Sequence, residues 1–281
     1  SRASSAWTPR RTRSTCPTSC ASAVSPIGLL EVVLGPCARG CFTTRGAGEA
    51  RAPRDDPYAG LNLAAHVGDD PDRVARNRHR LAGALGLDDD DIAWMNQVHS
   101  ATAVVARRGC LPTADALVLV RRDPRAPRAA GVLVADCVPL LLATSDGALL
   151  AAVHAGRKGM LGGVVSEALA VFAARGARPA DIWAAIGPTV CGACYEVPEE
   201  MRSAAAAIEP ECATTTRWGT PGLDVAAGVR AQLRREGVGH VTGGSWCTME
   251  DRRFYSYRRD GATGRIAGVV IAAPRRAVIE E

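Results

Sequence analysis

The chain has 281 residues, 47% of them hydrophobic, which is enough to bury a full core in one large domain or two small ones. Its formal net charge of +5 does not mark a nucleic-acid binder, because Arg2, Arg10, Arg11 and Arg13 precede the first acid, Glu31, and the rest is nearly neutral. A membrane span is also excluded, since the most apolar region, VADCVPLLLATSDGALLAAVHAGRKG at 134–159, is interrupted by Asp136, Pro139 and the Ser-Asp-Gly at 145–147.

Residues 1–27 are rich in Ser, Thr, Arg and Pro without an apolar run and read as a disordered N-terminal extension, leaving 28–281 as one catalytic domain. EVVLGPCARGCFTTRG then reads as strand, turn and strand, followed by a polar loop to Tyr58, and order resumes at LNLAAHVG. Asp70 and Pro71 form a cap with proline at the first helical position. Val74, Leu81 and Leu85 trace the buried face of that helix, and Gly86 ends it. IAWMNQVHSATAVVA, ADALVLV, GVLVADCV and ALLAAVHAG predict strands, with Val98, Val104 and Val105 buried and Pro139 stopping the third near Cys137. After a loop at Gly156, Val165, Ala168, Leu169 and Phe172 lie on one face of a helix that Gly176 stops. DIWAAIGP predicts a strand, 199–208 and 224–235 predict helices, and HVTGGSWCT, FYSYRR and IAGVVIAA predict the closing strands. Without strict βαβ alternation or an internal repeat, the expectation is a single α+β domain with mixed β-sheets layered with helices.

The ten cysteines, scattered between 16 and 247, suit a reduced, cytoplasmic chain better than a disulfide scaffold. Cys137 and His154 fall at strand ends, where a thiol and an imidazole can face a cavity. His99, in NQVHS, is the third candidate. Two imidazoles and one thiolate leave a fourth position open on zinc, as catalytic zinc sites do. The pattern is equally at home with a core cysteine and hydrogen-bonded core histidines. Arg157 and Lys158, beside a helix start, offer a place for an anion. Cys191 and Cys194 form a CxxC without a matching second pair, since Cys37 and Cys41 have three intervening residues, so a bystander role is expected. The H-x-E signature of zinc base deaminases is absent.

Taken in order, NLAAHVGDDPDRVARNRHRL, NQVHS, ADALV, VADCVPLLL, AAVHAGRKG, AAIGPTVCGACYEV, LDVAAGVRAQL and CTMEDRRFYSYRRDGATGR resemble the laccase-domain family. That family was long described as polyphenol oxidases and is now regarded as purine nucleoside phosphorylases with adenosine deaminase activity. The resemblance covers about residues 38–273. It implies zinc held by His99, Cys137 and His154, and adenosine, inosine, S-methyl-5′-thioadenosine and phosphate as substrates. Where the family continues its V-H-A-G motif with Trp-Arg-Gly, this chain has Arg157 and Lys158 before Gly159, which keeps charge but loses the bidentate fork of arginine. The loop GAGEARAPRDDPY also replaces a shorter glycine-serine segment.

On this reading Arg45, Lys158 and Arg258 are candidates for phosphate contacts, Asn62 and His66 for the pocket lining, and Asp136 for an acid if the chain turns there. Three rival readings stand beside it. The same His and Cys ligands could hold copper for phenol oxidation, although an axial Met is not evident. Cys137 could be a nucleophile with His154 as its base in an amide hydrolase. The metal could be structural, with a closed coordination sphere. The pattern leaves open whether the chain is a monomer or dimer.

Overall fold

The computed structural model describes residues 27–46 and 56–273. Residues 1–26, 47–55 and 274–281, and with them nearly all of the expected N-terminal extension and most of the GAGEARAPRDDPY loop, lie outside the described residues. Ile27, at the edge of the expected extension, is buried among Leu29, Cys41 and Leu61.

The first strands, β1 (Leu29–Val33) and β2 (Ala38–Thr43), pair antiparallel as a hairpin. The first helix, α1, spans Pro71–Leu85, with Asp70 accepting from Asp72 N at its start and Gly86 in the left-handed conformation at its end. The expected strand at 92–106 is instead two short ones, β3 (Ile92–Ala93) and β4 (Ala103–Val105), which belong to different sheets. The NQVHS segment runs between them, and Val98 is 50% exposed there rather than buried. Then come β5 (Ala116–Val120), β6 (Ala129–Val134), β7 (Val138–Thr144) and β8 (Leu149–Ala155). Pro139 does not stop a strand. It is the second residue of β7, opposite His154, and its carbonyl accepts from Gly187 N at 2.9 Å.

The loop expected after Gly156 contains a short helix, α2 (Arg157–Leu161), before α3 (Val164–Ala173). The chain continues through β9 (Ile182–Ile186), α4 (Glu199–Ile208), β10 (Ala213–Thr215), β11 (Pro221–Leu223) and α5 (Val225–Arg235). It closes with β12 (His240–Gly243), α6 (Tyr257–Asp260) and β13 (Ile266–Ala272). FYSYRR, expected as a strand, turns into α6 because the Ser256 side chain caps Arg259 N and draws the chain into a helical turn.

The strands form a five-stranded sheet in the order β1-β2-β13-β6-β3, a six-stranded sheet in the order β12-β9-β7-β8-β5-β4, and the small pair β10-β11. Both large sheets mix parallel and antiparallel pairs. Side-chain alternation stacks four layers. Leu81 and Leu85 of α1 cover the outer face of the five-stranded sheet at Ala129, Leu133, Ala267 and Val269. Phe42, Val132 and Val270 on its inner face meet Leu117, Leu141, Leu150 and Ala152 of the second sheet. On the far side Val118, Leu140, Leu142 and Val153 pack against Phe172 of α3 and Val229 and Leu233 of α5. Covered on both faces, β7 and β8 are apolar at nearly every position, which is why they read as continuous runs.

The two sheets are joined where β6 hands the chain to β7 through Ala135, Asp136 and Cys137. Their packing leaves little slack: a Cβ on Gly131 of β6 would lie 2.4 Å from the ring of Trp94. The substitution Gly131→Ala is expected to lower stability by about 1–3 kcal/mol through overpacking. Urea denaturation of the variant against the parent checks this, and an unchanged midpoint would refute it.

Candidate metal centre and cavity

Cys137 is placed by the hand-over between sheets. Asp136 adopts a positive φ of 86°, a conformation uncommon for a residue with a side chain, and this turn aims the following thiol at the cavity rather than into either sheet. The turn is held by Thr189 Oγ1 and Val190 N, which donate to the Asp136 carbonyl at 2.6 and 3.0 Å. Thr248 Oγ1 donates to one carboxylate oxygen and Arg258 N to the other, the latter at 2.6 Å. Both oxygens of Asp136 are therefore engaged, so it serves the turn and the placement of Arg258 rather than standing as an uncommitted acid.

The two histidines are organised by a residue not singled out from the sequence, Asp115, at the start of β5. Its side chain is fully buried, and it accepts from His99 N at 3.0 Å, Ser100 N at 2.6 Å, Ser100 Oγ at 2.7 Å and, more loosely, Val98 N at 3.3 Å. These bonds hold His99 at φ 61°, where its ring meets that of His154 edge to face with centroids 4.6 Å apart. Asp115 Oδ1 also contacts His154 Nδ1 at 2.7 Å, and its carbonyl accepts from His154 N at 2.7 Å. This fixes the ring and leaves Nε2 as the free donor, as an outer carboxylate does for a metal-binding histidine.

Ligand atoms of His99, Cys137 and His154 lie within 4.8 Å of one another, and Cys137 Sγ is 3.6 Å from His99 Nε2. A Cβ on Gly156 would sit 2.7 Å from the His99 ring and 3.0 Å from Cys137 Sγ, so glycine is required beside the set. The donors suit a borderline-soft divalent ion. Burial pushes the Cys137 thiol up, but the charge of His154 and hydrogen bonds from His154 and His99 outweigh it and bring the thiol down to about 6. Burial likewise pushes His154 down, yet the Cys137 thiolate and Asp115 raise it to about 9. Asp115 is pushed up by burial but falls to about 2 through its bonds to His154 and Ser100. The two shifts support one another and favour a thiolate–imidazolium pair, whose proton a bound cation would displace.

A cavity of about 420 Å³ opens over these donors. That is within the roughly 300–1,000 Å³ typical of small-molecule sites. Of the candidates read from the sequence, His66 and Arg258 line it together with the three donors. Asn62 does not. It is fully buried, and its amide is spent on Asp69, Ala64 and Arg265 N, so it shapes the loop behind the cavity. Arg45 lies over the Tyr255 ring at 4.6 Å and donates to the Ala59 carbonyl, outside the lining. On α2 it is Arg157, at the position where the family has tryptophan, that faces the cavity, and Lys158 points to solvent. Adjacent helical residues differ by about 100° in direction, so only one of the two can do so. Arg265, Gln97, Tyr195 and Tyr257 complete the wall without having been expected there. The SYRRDGATGR run, which carries both Arg258 and Arg265, was their available signal.

In protein stripped of metal, the depressed thiol predicts alkylation of Cys137 by iodoacetamide that is half-maximal near pH 6. The reactive thiolate is present above that pH and is lost as pH falls through it. Peptide mass spectrometry across a pH series checks this. A midpoint at the ordinary value near 8.5 would refute it.

Residues 39–273 match the family model described as multi-copper polyphenol oxidoreductase laccase. The chain is 48% identical to a purine nucleoside phosphorylase of Streptomyces coelicolor over 82% of its own length and 93% of that protein. It is 43% identical to a purine nucleoside phosphorylase of Deinococcus radiodurans, over 84% and 89%. Among solved structures it is similar to Neisseria meningitidis protein NMB0706, with a TM-score of 0.75 and 35% identity over 88% of this chain and 99% of that one. YlmD of Geobacillus stearothermophilus superposes with a TM-score of 0.75 at 29% identity, over 84% and 92%. On these matches the chain belongs to the laccase-domain family, whose members include proteins named purine nucleoside phosphorylases.

Proposed function

We propose that this chain is a zinc-dependent purine nucleoside phosphorylase acting on adenosine, inosine and S-methyl-5′-thioadenosine, with adenosine deaminase activity in the same cavity. The observation that carries the reading is that one cavity brings together the donors His99, Cys137 and His154 and three arginines, Arg157, Arg258 and Arg265. A set of metal-ligating side chains beside three guanidinium groups suits the joint binding of a polar heterocycle and a separate phosphate dianion. The names carried by the relatives support the same class.

In phosphorolysis a phosphate oxygen attacks the ribose C1′ and the bond from C1′ to N9 breaks. Its electron pair goes to the purine, which takes up a proton and leaves ribose 1-phosphate. The arginines would hold the phosphate against C1′, and Arg258 is set for this by the bond from its backbone N to Asp136. Burial and the charges of Arg265 and Arg78 lower the His66 pKa, so its imidazole is neutral near pH 7 and can hydrogen-bond to sugar or base. Tyr195, whose ring lies under the Arg258 guanidinium at 4.9 Å, helps to hold that side chain at the cavity wall. Zinc, when held by His99, Cys137 and His154, supplies a Lewis acid with an open position that activates water at neutral pH, the chemistry that deamination of adenosine requires.

Copper-dependent phenol oxidation is less well supported. No methionine is among the cavity-lining residues to act as an axial ligand, and five histidines in the whole chain are few for a multicopper centre.

Zinc-loaded protein incubated with adenosine and phosphate is expected to yield adenine and ribose 1-phosphate, and to form inosine when phosphate is withheld. Chromatography that finds neither product overturns the proposal, as does copper-dependent oxygen uptake with a phenol in their place. His154→Ala should lower kcat/KM by about 100-fold or more, and Arg258→Ala should raise the KM for phosphate by about tenfold with a smaller change in kcat. Equal effects on every substrate and parameter would remove Arg258 from phosphate binding.

A further inference from the structure

Behind the wall of that cavity lies a second convergence of donors. The CxxC at 191–194, expected to be a bystander, folds into a turn in which Cys194 N and Tyr195 N donate to the Cys191 carbonyl at 2.9 and 3.0 Å. Cys247 arrives from the opposite direction on the segment after β12. There it is pinned by Thr189 N donating to the Trp246 carbonyl at 3.2 Å and Thr248 N donating to the Thr189 carbonyl at 3.0 Å. Asp251 N then donates to the Cys247 carbonyl at 2.9 Å, and that turn folds Glu250 back over the thiols. The sulfurs of Cys191, Cys194 and Cys247 and a carboxylate oxygen of Glu250 lie within 4.8 Å of one another.

We propose that Cys191, Cys194, Cys247 and Glu250 form a second, structural metal site for zinc or a similarly thiophilic divalent cation. In a tetrahedral zinc site with bonds of about 2.3 Å, neighbouring sulfurs stand about 3.8 Å apart, so the observed set closes around an ion with only small shifts. Cys191 N points at Cys247 Sγ at 3.5 Å, a donor placed to stabilise a thiolate. Three thiolates and a carboxylate around a dication carry net negative charge. Arg217 answers it with a 2.6 Å ion pair to Glu250. Arg259 holds the same loop by donating to the Thr248 carbonyl at 2.7 Å and the Met249 carbonyl at 3.3 Å.

The competing reading is a small apolar cluster, since Cys194 and Cys247 pack with Val190, Tyr195 and Met249. A cluster of that kind accounts for three small thiols. It does not account for the convergence of three sulfurs from two separate segments on a carboxylate oxygen, since the ion pair with Arg217 engages only one oxygen of Glu250, nor for the amide aimed at sulfur. All three thiols are free, so none is spent on a disulfide. With four protein ligands the site is closed and has no position for substrate, which assigns it a bracing role. What it braces is specific: Thr189, Val190 and Thr248, the residues that hold the turn at Asp136, are each within two residues of Cys191 or Cys247. The site thereby ties the wall of the cavity to the turn that aims Cys137.

The test is metal stoichiometry, which does not depend on catalysis, and its deciding measurement, the ion held by Cys137→Ala, does not depend on the function proposed above. Full-length protein is purified under reducing conditions, loaded with zinc, freed of excess metal and analysed by elemental mass spectrometry. Two ions per chain are expected for the parent, and one for Cys137→Ala. That remaining ion should be lost from the double variant Cys137→Ala, Cys247→Ser. Substituting cobalt(II) into Cys137→Ala should give the intense sulfur-to-metal charge-transfer band of a three-thiolate tetrahedral site, a measurement on the intact cluster that does not rely on the Cys247 variant folding. Glu250→Gln should weaken this ion by about tenfold or more in chelator competition. A Cys137→Ala protein that holds no zinc and gives no such cobalt band overturns the proposal, as does a disulfide among the three cysteines in the reduced preparation. Unchanged affinity in Glu250→Gln would overturn the carboxylate as fourth ligand.

Discussion

The centre depends on one buried carboxylate. Asp115 has no solvent to answer its charge, and an unsatisfied carboxylate in that position would be strongly destabilising. Its satisfaction therefore dictates the surroundings. Backbone amides of the Val98–Ser100 loop must turn inward, which forces His99 into the left-handed region, and His154 must present Nδ1 to it. Two ligands on separate chain segments are brought to one place by a third residue that touches neither the cavity nor the ion it serves. The third ligand is positioned by the other unusual turn, at Asp136, where again a carboxylate collects donors from distant loops. Both carboxylates act as organisers of the side chains that converge on the cavity.

Much of this was legible in the sequence where a single local rule decides the outcome. The Asp70-Pro71 start and Gly86 stop bounded α1, and the apolar runs of β7 and β8 announced strands covered on both faces. Residue type and strand-end position made His99, Cys137 and His154 candidates but left a core role equally open, and it was the resemblance that favoured them as metal donors. What could not be read depends on contacts remote in the chain. Pro139 sits inside a strand because its missing N–H falls near the strand start, while its carbonyl still finds Gly187. Asn62 looked like a pocket residue but is consumed by Asp69 and Arg265, and Lys158 yields to Arg157 through the phase of a five-residue helix. Asp115 stood in view within ADALV. Nothing local distinguished it from a strand-end acid in solvent.

The arginine rim also reframes the chain's departure from its family at Arg157-Lys158. The change does not touch the donors, since α2 begins after Gly156, the residue whose bareness the donors require. It alters instead the wall that a substrate meets. Against the Trp-Arg-Gly that the resemblance implies, a guanidinium stands in place of an indole, adding charge beside Arg258 and Arg265 and removing a flat apolar surface. The donor set and the cavity wall are thus separable parts of the structure.

The hand-over between sheets at Ala135–Cys137 has a thermodynamic consequence. Cys137 lies 38 residues from His99 along the chain, and the donors come from segments that meet only when both sheets have packed. An unfolded or half-assembled chain therefore lacks the assembled donor set, and a cation that fits it favours the native state over the unfolded one. By mass action such a ligand adds RT ln(1 + [L]/Kd) to stability, about 2.7 kcal/mol at a free concentration one hundred times Kd. A cation held there would in this sense be part of the fold, and metal supply during synthesis would then help to set how much of the chain is folded.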